Sequence, residues 1–488
     1  MCGLAGIITD KESNLVAQFL YVCGYNLLHR GQDGSGMVME RLGGEYILRK
    51  GPGTIDRVFL DTDLRALQWR GHAGLVHTRY ATSGVDFKDP RSLEEYTRAA
   101  QPMTIDFHGE TAFLVYNGNL TPSCIRELYE EIFSREFRGE MNQREAWVDT
   151  ELIVWAIEKS SAESFESALL EDVCPRLRGA FSLIVLYRGT LYALRDTHGF
   201  RPLEIGEYDG GFVIASEDNM FGQFPGGRKV RSVEPGECVV FSCTEDRIDT
   251  RSIQWGTSDR THFCQFEQVY FLRFDSHADG GVVAAQRKEL GRMLCRECPP
   301  PPNIDFVIGT PDSGKDAGYA YALEAGLPFD PLALRRLHGA GRTFIEPVND
   351  LRKEGVDFKL KVIPEFVKGK RIVVVDDSLV RGTVAARLVY ILKESGAQEV
   401  HIRVASPPTR HGCLYGIDTF RIEDELIARG VDRVEEIRQK INALIFERYG
   451  KPYILDSLCY ISLAGMQSVW KGKLGLCDAC WTGNYPVL

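Results

Sequence analysis

Apolar residues recur at two different spacings along this chain, and the spacing changes near its middle. The first half carries strand-like runs broken by glycine-centred turns. Residues 181–187 (FSLIVLY), a turn at Arg188, Gly189 and Thr190, and residues 191–194 (LYAL) predict a hairpin. Helical spacing occurs twice in this half. Over 15–28 it aligns Leu15, Phe19, Val22 and Cys23, and over 150–159 it gathers Leu152, Ile153, Ala156 and Ile157. Many strands with few helices predict an α+β sandwich. The second half reads differently. A short apolar run at 371–375 predicts a buried strand, followed by a loop at 376–383, a helix over 384–394 ended by Gly396, and a strand over 400–405. That is a βαβ unit, and it implies a parallel, doubly wound sheet. Residues 305–309, a loop, and a helix over 317–325 form a second unit. The polar stretch 238–262 places the change of domain, giving units at 1–245 and 246–440 and a C-terminal helical tail at 441–488.

Composition narrows the class. A length of 488 residues fits two domains, and 44% hydrophobic with 26% charged residues fits a soluble globular chain. A net charge of −10 argues against general nucleic-acid binding. No apolar run reaches the ~18 residues of a membrane span. The first residues lack a basic region followed by an apolar one, so no secretion signal is expected. The 13 cysteines then read as reduced thiols, metal ligands or catalytic groups rather than a disulfide framework, and the expected compartment is the cytoplasm.

The second residue is Cys2. Removal of Met1 would put a thiol and a free α-amine on one residue, and an amine titrating near neutrality can serve as base for the thiol beside it. Short motifs follow: His29-Arg30-Gly31-Gln32-Asp33, His77-Thr78-Arg79-Tyr80, Asn117-Gly118-Asn119, Asp149-Thr150-Glu151, Arg195-Asp196 and Gly199-Phe200-Arg201-Pro202. Each is weak alone, because an arginine in a loop is usually solvated and Asn-Gly is usually a turn. In this order behind Cys2 they resemble the glutaminase domain of N-terminal-nucleophile (Ntn) amidotransferases. The resemblance implies that Arg79 holds the α-carboxylate of glutamine and Asp149 its α-ammonium. It also implies an oxyanion hole made of the Asn117 side chain and the Gly118 N–H.

Residues 373–383 (VVVDDSLVRGT) are the second strong motif. A strand ends in two acids, and a loop with Ser378, Arg381, Gly382 and Thr383 opens a helix, which suits a phosphate. The segment resembles the 5-phosphoribosyl-1-pyrophosphate (PRPP) loop of type I phosphoribosyltransferases, as do Pro311-Asp312-Ser313-Gly314 and Gly341-Arg342-Thr343-Phe344-Ile345. Joined behind Cys2, these segments resemble one family over nearly the whole chain, the glutamine PRPP amidotransferases. That implies an Ntn-hydrolase sandwich followed by an α/β type I phosphoribosyltransferase domain. It implies transfer of ammonia from glutamine to C1 of PRPP, the first step of purine nucleotide synthesis. PRPP would lie on Asp376, Asp377, Ser378, Arg381, Gly382, Thr383 and Arg342, with Mg²⁺ at Ser313, Asp376 and Asp377. Purine nucleotide feedback and a homo-dimer or homo-tetramer are further family expectations.

Cys477 and Cys480 form a C-x-x-C pair near the end. Alone it is ambiguous between zinc, redox and iron–sulfur roles. The resemblance adds Cys264, ahead of an expected strand at Tyr270 and Phe271, and Cys413, and implies a structural [4Fe–4S] cluster. Zinc at the same four thiols stays open. Cys295 and Cys298 read as incidental thiols at a helix end. Three stretches depart from the family pattern: Val384 replaces a threonine, residues 336–339 (RLHG) replace a basic segment, and residues 356–359 (VDFK) put an acid and an aromatic where cations are expected. These changes keep open a paralogue with a modified phosphoribosyl acceptor. A non-enzymatic PRPP or nucleotide sensor is disfavoured, because a sensor needs no glutaminase.

Overall fold

The computed structural model describes all 488 residues except 61–68, 81–96, 98, 135–148, 245–246, 337–359 and 421. Two antiparallel sheets face each other in the first half. One runs in the spatial order Arg228–Ser232, Glu204–Tyr208, Gly211–Ala215, Gly3–Ser13, Gly71–Arg79, Gly34–Glu40, Tyr46–Pro52. The other runs Arg247–Gln254, Glu237–Thr244, Thr190–Arg195, Gly179–Tyr187, Glu110–Leu120, Met103–Phe107. Leu4, Ile8, Val38 and Leu75 of the first interlock with Val115, Ile184, Leu186 and Val239 of the second. Each outer face is covered by a predicted helix. Leu15–Asn26 buries Val16, Ala17, Leu20 and Cys23, and Asp149–Glu158 buries Leu152, Ile153, Ala156 and Ile157. The strand Gly3–Ser13 is interior, paired on both edges. It therefore carries Cys2 to a fixed place at the end of the sandwich.

The second half holds a parallel sheet ordered Phe306–Gly309, Arg371–Asp376, Glu399–Val404, Ser457–Tyr460. Strands buried on both faces read as continuous Val/Ile runs, and residues 372–375 are fully buried. Helix Thr383–Glu394 packs Ala385, Leu388, Val389 and Leu392 into this core, and Lys315–Ala325 packs Ala317, Ala320 and Tyr321 on the other side of the sheet's first strands. Among the described residues, no helix is long and apolar enough to cross a membrane.

Several details differ from the sequence reading. The first half's sheet continues past residue 245, because Arg247–Gln254 pairs along Glu237–Thr244. Helix Val434–Tyr449 crosses residue 440, and Ser457–Tyr460 is a fourth strand of the second sheet rather than part of a helical tail. A four-residue strand is too short for its period to be legible. Tyr270 and Phe271, expected in a strand, lie in the helical turn Glu267–Phe271, where their rings pack on Phe266. Cys298, read as an incidental thiol, is disulfide-bonded to Cys459 across 161 residues. The parallel sheet brings the two together, which spacing along the chain cannot reveal.

Candidate active site

Cys2 precedes the central strand and meets three neighbouring segments. Its backbone N–H donates to Asn117 Oδ1 at 2.9 Å. The Tyr80 N–H points at its Sγ at 3.5 Å. Arg30 Nε donates to its carbonyl at 3.0 Å. Asn117 and Gly118 lie on Glu110–Leu120, and Arg79 ends the strand that pairs Thr78 with Gly3. The two strands that flank the sandwich end thus bring Cys2, Arg79, Asn117 and Gly118 together.

Asn117 is fully buried, and its Nδ2 has no hydrogen-bond partner among the described residues. A buried donor without a partner costs about 1–3 kcal/mol unless something else accepts from it. With Oδ1 committed to the Cys2 N–H, the orientation of the amide is fixed. Gly118 is required by space, since a Cβ there would lie 1.9 Å from the Ala180 carbonyl oxygen.

Asp149 opens helix Asp149–Glu158. Its Oδ2 accepts from Tyr116 Oη at 2.9 Å and Leu120 N at 3.1 Å, and Oδ1 accepts from Thr150 N at 2.9 Å. Burial raises its carboxyl above the usual range, opposed by these hydrogen bonds. Tyr116 and Gln101 were not picked out by the sequence. Gln101 Oε1 accepts from Tyr116 N at 2.6 Å and steadies the strand one residue before Asn117. Nothing in the residue types around position 101 signals this.

His77 lies beneath the site, with Nε2 3.3 Å from the Tyr116 carbonyl. Burial first, then the Arg79 charge, lower it from 6.5 to about 3. Between these values the unfolded chain binds a proton that the folded one refuses. Its stabilising contribution is complete above pH 6.5 and is lost as pH falls toward about 3. We expect His77→Gln to lose less stability than the parent between pH 7 and pH 5 in chemical unfolding. Equal losses would refute this assignment.

In the second half, Asp376 and Asp377 stand at the C-terminal end of Arg371–Asp376, both 4% exposed. Asp377 accepts from Ser313 Oγ and, at 2.7 Å, from Ser378 Oγ. Burial and the neighbouring Asp377 push Asp376 well above the usual carboxyl range. Gly382 takes φ +75° and opens the helix at Thr383. Gly382→Ala would force a side chain into that left-handed conformation, with Ile427 at 3.1 Å from the new Cβ. We expect a loss of about 1–2 kcal/mol, read by chemical unfolding. Arg381 pairs with Glu425, Nε to Oε2, at 3.0 Å. Arg342 and residues 356–359 lie outside the described residues.

The metal expectations need correction. Among the described residues, no three His, Cys, Asp or Glu side chains are placed to hold a metal ion. That argues against the [4Fe–4S] cluster expected at Cys264, Cys413, Cys477 and Cys480, and against the zinc alternative with it. The tail is tied down by other means. Phe263–Cys264 pairs in parallel with Leu476–Cys477, and the Cys480 carbonyl accepts from Arg410 and His411 N–H at 3.0 and 3.1 Å. The same finding gives the Mg²⁺ expected at Ser313, Asp376 and Asp377 no support. There the Asp377 carboxylate and the Ser313 hydroxyl are engaged with each other.

An Ntn-type glutaminase sandwich and a phosphoribosyltransferase-type fold in one chain define a two-domain glutamine amidotransferase. A model described as "Glutamine amidotransferase domain" matches residues 91–223. The amidophosphoribosyltransferase of Mycobacterium tuberculosis is 36% identical over all of this chain and 86% of its own length. That of Bacillus subtilis is 35% identical over all of this chain and 94% of its own. The chain belongs to the amidophosphoribosyltransferase family and is an enzyme of that kind. The solved B. subtilis glutamine PRPP amidotransferase, complexed with ADP and GMP, superposes with a TM-score of 0.81 at 34% identity, covering 100% of this chain and 98% of that one. A structure described as the allosteric regulatory enzyme of purine biosynthesis superposes with a TM-score of 0.82 at 33% identity, covering 100% and 96%.

Proposed function

We propose that this chain transfers the amide nitrogen of glutamine to C1 of PRPP, giving 5-phosphoribosylamine, pyrophosphate and glutamate, and so opens purine nucleotide synthesis. The reading is supported above all by Asn117, which holds the Cys2 N–H with one end and presents a buried, unpartnered NH₂ with the other. Once its α-amine is freed, Cys2 passes its thiol proton to that amine, and the thiolate attacks the glutamine amide carbon. Asn117 Nδ2 and the Gly118 N–H stabilise the oxyanion, each donor worth about 3–4 kcal/mol. Ammonia leaves with the proton, and water hydrolyses the thioester to glutamate. Arg79 and Asp149 orient the amino acid through its carboxylate and ammonium groups. Ammonia then attacks C1 of PRPP and displaces pyrophosphate, with the phosphate seated on the loop 378–383 and the Asp377 carboxylate opposing positive charge on the ring. Feedback by purine nucleotides and assembly as a homo-oligomer belong to the same reading.

The test is pyrophosphate release from PRPP, driven first by glutamine and then by ammonia. A second reading, a paralogue acting on a modified phosphoribosyl acceptor, is favoured by Val384 and by the Arg381–Glu425 pair, which occupies one cation of the loop. Glutamine hydrolysis without pyrophosphate release from PRPP would decide for the second reading.

A further inference from the structure

Three buried charged residues carry no role in this chemistry: Arg30 and Arg201, from the motifs, and Glu267. They meet in one buried ion network. Arg30 uses every guanidinium nitrogen. Its Nε donates to the Cys2 carbonyl at 3.0 Å, Nη1 to Glu217 at 2.7 Å, and Nη2 to both oxygens of Glu267 at 2.8 and 3.1 Å. Glu267 also faces Arg201 Nη1 at 3.1 Å, and Arg201 Nε donates to the Tyr415 carbonyl at 3.0 Å. Glu217 accepts further from His29 Nε2 and Ser276 Oγ, both at 2.6 Å. Arg30, Arg201, Glu217 and Glu267 are at most 1% exposed. Arg30 belongs to the first half. Glu267 begins the helical turn Glu267–Phe271, beyond the last strand of the sandwich.

We propose that Glu267 is a positioning residue for the nucleophile. It grips Arg30 with two oxygens, and Arg30 in turn holds the Cys2 carbonyl, so a carboxylate from outside the sandwich sets the place of the thiol. The proposal rests on Cys2 being the glutaminase nucleophile. A fixed guanidinium needs acceptors in its own plane, and carboxylates on two different nitrogens define that plane better than one. In Glu267→Gln the amide NH₂ would face the Arg30 N–H groups and release one of the two contacts. A displacement near 1 Å at a reacting atom can cost ~100-fold in rate.

The experiment measures glutamine hydrolysis and ammonia-driven pyrophosphate release in the intact chain. For Glu267→Gln we expect kcat for glutamine to fall roughly 10–100-fold with KM within about twofold, because Arg79 and Asp149 are untouched. Ammonia-driven release should stay at the parent rate, and Glu267→Asp should recover part of the glutamine rate. An unchanged glutamine kcat, or equal losses in both reactions, would overturn the proposal. If Glu267→Gln does not fold, Arg30→Lys serves, since it keeps the charge and loses the contact to the Cys2 carbonyl. The same kcat-only loss supports the proposal, and a normal kcat overturns it. Cys2→Ala run alongside separates the two ideas. Residual hydrolysis in that variant means the nucleophile assignment has failed, whereas a dead Cys2→Ala with a normal Glu267→Gln means only the positioning role has.

Discussion

Cys2→Ala is expected to abolish glutamine-driven pyrophosphate release, with a fall on the order of 10⁴-fold or more, while ammonia-driven release persists. The size follows from what is lost. Without the thiolate no covalent intermediate forms, and the oxyanion donors on Asn117 and Gly118 have no tetrahedral species to stabilise. Alanine changes little else at this position. The Cys2 N–H contact to Asn117 and the Arg30 contact to its carbonyl both use the backbone. The ammonia-driven rate depends on the parallel sheet and its loop, which Cys2 does not touch. Glutamine-driven release surviving in this variant would exclude Cys2 as the nucleophile.

The second large effect is expected at the other end of the molecule. Asp377→Asn should lower pyrophosphate release roughly 100–1000-fold with either nitrogen donor, because a preorganised charge facing a developing cation is removed. The substitution keeps the shape of the side chain and an acceptor for one of the Ser313 and Ser378 hydroxyls. Hydrolysis of glutamine alone should continue at the parent rate. Pyrophosphate release that is unaffected, or a loss confined to the glutamine-driven rate, would remove Asp377 from the phosphoribosyl chemistry.

Much of this arrangement was legible in the sequence, for reasons that can be named. Helix Leu15–Asn26 was legible in its extent but turns Val16, Ala17 and Leu20 inward with Cys23 and leaves Leu15 exposed; Asp149–Glu158 announces itself because its expected face packs against a sheet. The strand Arg371–Asp376 does so because it is buried on both faces and ends in two acids. Arg79, Asn117 and Asp149 were each weak signals alone, and they drew attention only through their order behind Cys2 and the resemblance it carries. What remained hidden depends on distance in space. Gln101 touches Tyr116 only after two strands pair, and Cys298 finds Cys459 only after the parallel sheet forms. Cys264, Cys413, Cys477 and Cys480 show the opposite failure. The resemblance implied a metal centre at them, but among the described residues no three such side chains are placed to hold a metal ion.

The loop that carries Tyr415 has a consequence for engineering. Gly416 presses so closely on Gly118 that a Cβ on it would stand 3.2 Å from the Gly118 carbonyl, and Asn119 Nδ2 donates to the Leu414 carbonyl at 3.0 Å. The two halves therefore meet almost backbone to backbone at the strand that carries Asn117 and Gly118, with the Asn119 amide and the Arg201 guanidinium beside the contact. Chimeras that graft a relative's second half onto this sandwich must bring a glycine to position 416 and keep the path of its loop. Otherwise the graft reshapes a catalytic surface that it was never meant to change.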